Sequence, residues 1–244
     1  PNDKPVLPTL VEELRADLAP FAKANSLESY VTGPGGLLGD LFEAFGEIDS
    51  KLLLSTLGVV AFILIIVYRS PILWIIPLLS SLFALSTAGG IVYLLAKNDI
   101  IDVDGQSQGI LSVLVVGAAT DYALLLIARY REELHLFESR FDAMRAAYKG
   151  VWEPILASGS TVSISLLILL FSQLSSTASL GPIGAIGIVC SMITILTLLP
   201  ALLLLFGRWI FWPRKPEFDG DDHVMSGTWS KVGRVIEKNP RRAW

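Results

Sequence analysis

The chain has 244 residues, of which 52% are hydrophobic and 17% charged, with a formal net charge of −4. The apolar residues are gathered into long blocks that charged residues leave alone, a distribution that points away from a water-soluble domain. The charge is spread over connecting segments and no basic patch interleaves with aromatics, so nucleic-acid binding is not expected.

Residues 1–50 are mostly polar. Leu10, Val11, Leu14, Leu18 and Phe21 recur at helical spacing. "SLESYVTGPGG" then offers a short strand interrupted by Gly33, Pro34, Gly35 and Gly36, and Leu38, Leu41, Phe42 and Phe45 resume the helical pattern. The expectation is helix, strand, helix. One strand makes no sheet and two such helices bury little surface, so the segment reads as the trailing part of a larger extracytoplasmic α/β domain.

Five apolar windows follow, at about 51–68, 72–95, 109–128, 155–174 and 180–206. Each meets the roughly 20 residues that crossing about 30 Å of hydrocarbon requires. The fold class expected is therefore an all-α integral membrane bundle of five transmembrane helices with a partial α/β segment at the N-terminus.

Basic residues near the helix ends set the orientation. Arg129, Arg131, Arg140, Arg145 and Lys149 lie between the third and fourth windows, and Arg208, Arg214 and Lys215 follow the fifth. These segments are expected on the cytoplasmic side of a multi-pass cell-membrane protein, with the N-terminus outside and the C-terminus inside.

Within 131–152, Leu134, Phe137, Phe141, Met144, Tyr148 and Val151 are spaced alternately three and four apart among charged residues, which predicts an amphipathic helix on the cytoplasmic face. Small residues mark faces of close helix approach: Ala84, Ala88, Gly89 and Gly90, then Ala157 and Gly159, then Gly181, Gly184, Gly187 and Ser191. Cys190, the single cysteine, lies inside the fifth window and reads as core packing. The basic ending "WSKVGRVIEKNPRRAW" looks like a lead-in to another span, so 208–244 is expected to be a cytoplasmic linker within a longer polypeptide.

Apart from Lys51 at the edge of the first window, Asp121 is the one residue of the Asp, Glu, Lys, Arg and His types inside the five windows. Inserting it costs about 2.5–3.5 kcal/mol at a helix centre, while each surrounding Leu, Ile or Val returns about 0.3–0.6 kcal/mol. The helix can insert, but the carboxyl group should face protein or water. Gly117, one turn earlier on the same face, leaves room for a neighbouring helix or a water, and Tyr122 brings a phenol that can hydrogen-bond a carboxyl group. Ser158, Thr161 and Ser165 form one stripe along the fourth window and can line a wet path to Asp121. Such a site can load and release a proton. The alternative is that Asp121 only fixes helix packing through a hydrogen bond.

No enzymatic constellation appears. A membrane aspartyl protease needs two facing carboxylates, both histidines (His135 and His223) lie outside the windows, and there is neither an HExxH metal motif nor a phosphate loop. No metal or cofactor is expected.

"GAATDYALLLIARYREE", the approach "AFGEIDSKLLLSTLGVVAFILIIVYRSP", the tract "ILASGSTVSISLLILLF" and the ending "LGPIGAIGIV…LTLLPALLLLFGRWIFWPRKP" together resemble the MMPL transporters of actinobacteria, a branch of the resistance-nodulation-division superfamily. The resemblance implies spans two to six in the first of two pseudo-repeated halves. Residues 1–50 would close an extracytoplasmic porter domain, and the second half of the transporter would be a partner missing from this chain. It further implies proton-driven export of a lipid or other hydrophobic small molecule, with Asp121 relaying protons and Tyr122 as its hydrogen-bonding partner. A five-helix bundle of this kind also resembles the sterol-sensing domains of the same superfamily, so a lipid-sensing or regulatory bundle is the alternative.

Overall fold

The computed structural model describes residues 6–24, 27–68, 70–103, 105–213, 215, 216 and 218. Six α-helices run in chain order: α1 (Val6–Ala24), α2 (Gly33–Tyr68), α3 (Ile75–Lys97), α4 (Gly105–Leu136), α5 (Arg140–Leu167) and α6 (Ser175–Phe206). Short 3₁₀ turns extend α5 through Ile168–Phe171 and α6 through Gly207–Phe211. Five helices, α2 to α6, contain stretches long and apolar enough to cross a membrane.

The described residues contain no strand, which corrects the expectation of a partial α/β segment. Residues 27–32 join α1 to α2 without regular structure, and the apolar side chains that suggested a strand, Leu27 and Tyr30, are exposed. A strand needs a neighbour to take its N–H and C=O groups, and α1 and α2 supply none. The glycines that read as a strand breaker instead open a helix. Gly33 takes a left-handed φ of +88°, a conformation that costs glycine little, and Pro34 follows in the first turn, where its missing N–H is not needed. From there α2 runs unbroken for 36 residues, about 54 Å at 1.5 Å per residue.

α1 lies along α2. Val11 and Ala22 are buried, Gly39 lets Val11 come close, and Arg15 pairs with Asp40. The Leu10, Leu14 and Leu18 stripe of α1 stays exposed.

In the bundle, α6 is central and packs on α3, α4 and α5, while α4 also touches α2, α3 and α5. Small residues allow the tightest approaches. A Cβ on Gly187 would stand 2.6 Å from Leu111 Cδ1 and 2.7 Å from Val115 Cγ2, so α4 and α6 meet with no room between them. Gly159 likewise receives the Met192 side chain. Gly89 and Gly90 face open space and Ala157 is exposed, so the small-residue signal holds for only part of the stripe. Cys190 is buried in the core.

The segment 131–152 is not one helix. Residues 131–136 end α4, a turn follows at 137–139, and Ser139 caps α5 by accepting from the Asp142 amide at 3.4 Å. The alternating spacing crosses that turn. As a result Leu134, Met144 and Val151 are buried while Phe137 and Phe141 face outward. The basic ending at 229–244 lies outside the described residues.

Candidate functional site

α4 carries Asp121 near its midpoint, away from the bundle core. Its side chain is exposed in this chain, and no described residue forms a hydrogen bond or ion pair with it. Gly117, half-buried one turn earlier, has open space where a side chain would be. The next residue points the other way: Tyr122 is 6% exposed, inside the core, with its phenol near the Ser158 side chain of α5. Tyr122 and Ser158 thus mark where α4 and α5 come together, on the opposite side of α4 from the exposed Asp121.

On that stripe, the Thr161 hydroxyl donates to the Ala157 carbonyl at 2.8 Å and the Ser165 hydroxyl donates to the Thr161 carbonyl at 2.8 Å. Both are exposed. Each proton is committed to its own helix, which leaves each oxygen free to accept from water. Thr120, beside Asp121, is turned inward and donates to the Val116 and Gly117 carbonyls at 2.8 and 2.9 Å. The structure thus places Tyr122 near Ser158 and leaves Asp121, Gly117, Thr161 and Ser165 on the surface of this bundle.

Sequence reasoning did not foresee how the basic end of the bundle is tied together. Arg129 pairs with Glu132 at 3.0 Å and with Glu133 at 2.6 Å, and it lies against Gly150 of α5. Glu133 is itself buried, so its charge is balanced where water is scarce. Tyr130 is fully buried, with its ring centroid 6.1 Å from that of Phe211. Arg208 donates to the carbonyls of Phe137 at 2.6 Å, Glu138 at 3.1 Å and Pro216 at 3.1 Å, placing a cation against the negative end of α4. The Ser70 hydroxyl donates to the Ile210 carbonyl at 2.9 Å and so fastens the α2–α3 turn to the end of α6. Arg208 had a signal in its place just past a helix end. Ser70 had none, because its partner is 140 residues away.

The MMPL family profile matches residues 9–243. The membrane protein ActII-3 of Streptomyces coelicolor is 46% identical over 233 residues, covering 96% of this chain and 33% of that protein. The apo-petrobactin exporter of Bacillus anthracis is 37% identical over 224 residues, covering 91% of this chain and 30% of its own length. The acyltrehalose exporter MmpL10 of Mycobacterium tuberculosis is 33% identical over 150 residues, covering 62% of this chain and 15% of that exporter. The chain therefore spans about a third of the length of the Streptomyces relative. With a family match over nearly every residue and five membrane-length helices carrying the match, this chain belongs to the MMPL family.

Proposed function

We propose that this bundle is part of an exporter of lipids or other amphiphiles driven by the proton-motive force, with Asp121 as the proton carrier. The observation that carries the reading is a lone carboxyl group exposed near the midpoint of a membrane-length helix. Left facing lipid it would cost several kcal/mol, so it needs a covering surface or water, and a role that repays that cost. Taking up a proton makes the group neutral and lets the face move or repack. Releasing it restores a charge that must be solvated. The open space at Gly117 and the oxygens of Thr161 and Ser165 admit a water chain to the carboxyl group, and the Tyr122 phenol, turned inward near Ser158, is the proposed relay partner. The relatives named as exporters support a transport role over an enzymatic one.

The cover for the Asp121 face is, in this reading, a second bundle of the same transporter, in keeping with a chain that spans a third of its relative's length. α1 and the first half of α2 would close an extracytoplasmic porter domain, which would also bury the exposed Leu10, Leu14 and Leu18 stripe. Export by the full-length protein should stop when a protonophore collapses the gradient at constant ATP. Export that continues undiminished rejects the proton-driven reading.

The basic end carrying 129–154 is proposed to be cytoplasmic, with the N-terminus outside. Glu138→Cys tests this better than a label at Ser139, whose hydroxyl caps α5. With Cys190 replaced by Ala, an impermeant thiol reagent should label position 138 only after the membrane is opened. Labelling in intact cells overturns the orientation.

One observation favours the lipid-sensing alternative. A cavity of about 440 Å³ opens between α2, α3 and α4, lined by Leu53, Leu85, Val92, Tyr93, Gln108 and Leu111, a size and character suited to part of a lipid. A sensor would bind lipid there and export nothing, so the protonophore experiment separates the two readings.

A further inference from the structure

The flank of α5 near its first turns meets the end of α6 in a groove of about 450 Å³, lined by Phe141, Met144, Arg145, Tyr148, Lys149 and Leu204. Its floor is apolar and its rim carries two cations. Arg145 and Lys149 are four residues apart on a helix and so share a face. Three neighbouring cations are already engaged: Arg129 by Glu132 and Glu133, Arg208 by three carbonyls, and Arg140 by the Phe141 ring at 5.2 Å. Arg145 and Lys149 are exposed and have no ion pair among the described residues, although Asp142 and Glu153 stand one turn to either side.

Helix length sets the depth of the groove. α5 with its 3₁₀ extension runs 32 residues, Arg140–Phe171, about 48 Å, against about 30 Å of hydrocarbon. No charged residue follows Glu153 within that stretch, so the apolar part occupies the hydrocarbon and roughly the first 12 residues lie in the headgroup layer. Trp152, partly exposed, stands at the boundary, where indole rings are favoured. Arg145 and Lys149 are thus held at phosphate depth above an apolar floor.

We infer that this groove binds an anionic membrane phospholipid, its phosphodiester held between Arg145 and Lys149 and its glycerol and first methylenes resting on Phe141, Met144 and Leu204. Tyr148, which also lines the groove, offers a hydroxyl. The volume admits a headgroup and glycerol but not whole acyl chains, which continue toward the bilayer centre past the exposed Trp152 and Leu156. Basic recesses between membrane helices are suited to such headgroups, and each juxtamembrane cation contributes about 1 kcal/mol. The site is remote from Asp121 in sequence and independent of the proton reading.

The test is equilibrium binding of fluorescent short-chain phosphatidylglycerol to the full-length protein in neutral detergent. Arg145→Gln with Lys149→Gln should bind about thirtyfold more weakly, the worth of two such cations, and should melt as the parent does, since both side chains are exposed. Arg145→Lys with Lys149→Arg should retain binding, and phosphatidylcholine should bind the parent no better than phosphatidylglycerol binds the double Gln variant. Unchanged affinity in the double Gln variant overturns the inference, as does equal binding of the two lipids to the parent. Displacement of the lipid by millimolar inorganic phosphate would overturn it in favour of a soluble anion.

Discussion

Asp121→Asn in the full-length protein is expected to insert, fold and melt normally yet reduce export to background. Asn keeps the size of the side chain, and no described residue bonds the Asp121 carboxylate, so the bundle loses no contact. What the amide loses is titration. A proton crossing the membrane releases about 2.3 kcal/mol for each 100 mV, and a carrier collects that energy only by changing charge inside the bilayer. Tyr122→Phe should be milder. It removes only the phenol hydroxyl and leaves the carboxyl group in place. The measurement is efflux of substrate with and without a protonophore, alongside expression and thermal-melting controls. If Asp121→Asn exports at the parental rate while the protonophore still stops the parent, the proton passes elsewhere and Asp121 serves packing alone.

Gly187→Val is expected to give the largest loss of stability. The added Cβ falls 2.6 Å from Leu111 Cδ1 and 2.7 Å from Val115 Cγ2, both in buried side chains on the helix that carries Asp121. Neither can withdraw, because α4 and α6 form the centre of the bundle. Overpacking of this kind costs about 1–3 kcal/mol, seen as a drop of several degrees in melting temperature with helicity unchanged in the folded state. Gly89→Ala is the control. Its side chain would meet nothing within 4 Å, and replacing glycine inside a helix gains about 0.5–1 kcal/mol. Equal melting of the two variants would mean that α4 and α6 do not pack as described.

The same comparison shows where the reach of the sequence ends. Gly89 and Gly187 both sit in small-residue stripes, and only the packing of α4 on α6 makes one indispensable and leaves the other idle. Phe141 and Met144 belonged to one periodic pattern, yet the packing of α5 leaves Phe141 exposed and Met144 buried. "SLESYVTGPGG" carried the composition of a strand, but no neighbouring strand exists among the described residues to complete it.

By itself the sequence determined the five membrane-length helices, the family, and Asp121 as the residue to explain. Each of these is local: an apolar block of about 20 residues has essentially one solution in a bilayer, and a carboxylate within it stands out wherever the helix later packs. Tertiary structure alone decided that Tyr122 turns into the core while Asp121 faces out, and that Ser70 fastens to Ile210 and Arg208 to the end of α4. Those contacts join atoms far apart along the chain, and the hydropathy of either partner carries no information about the other.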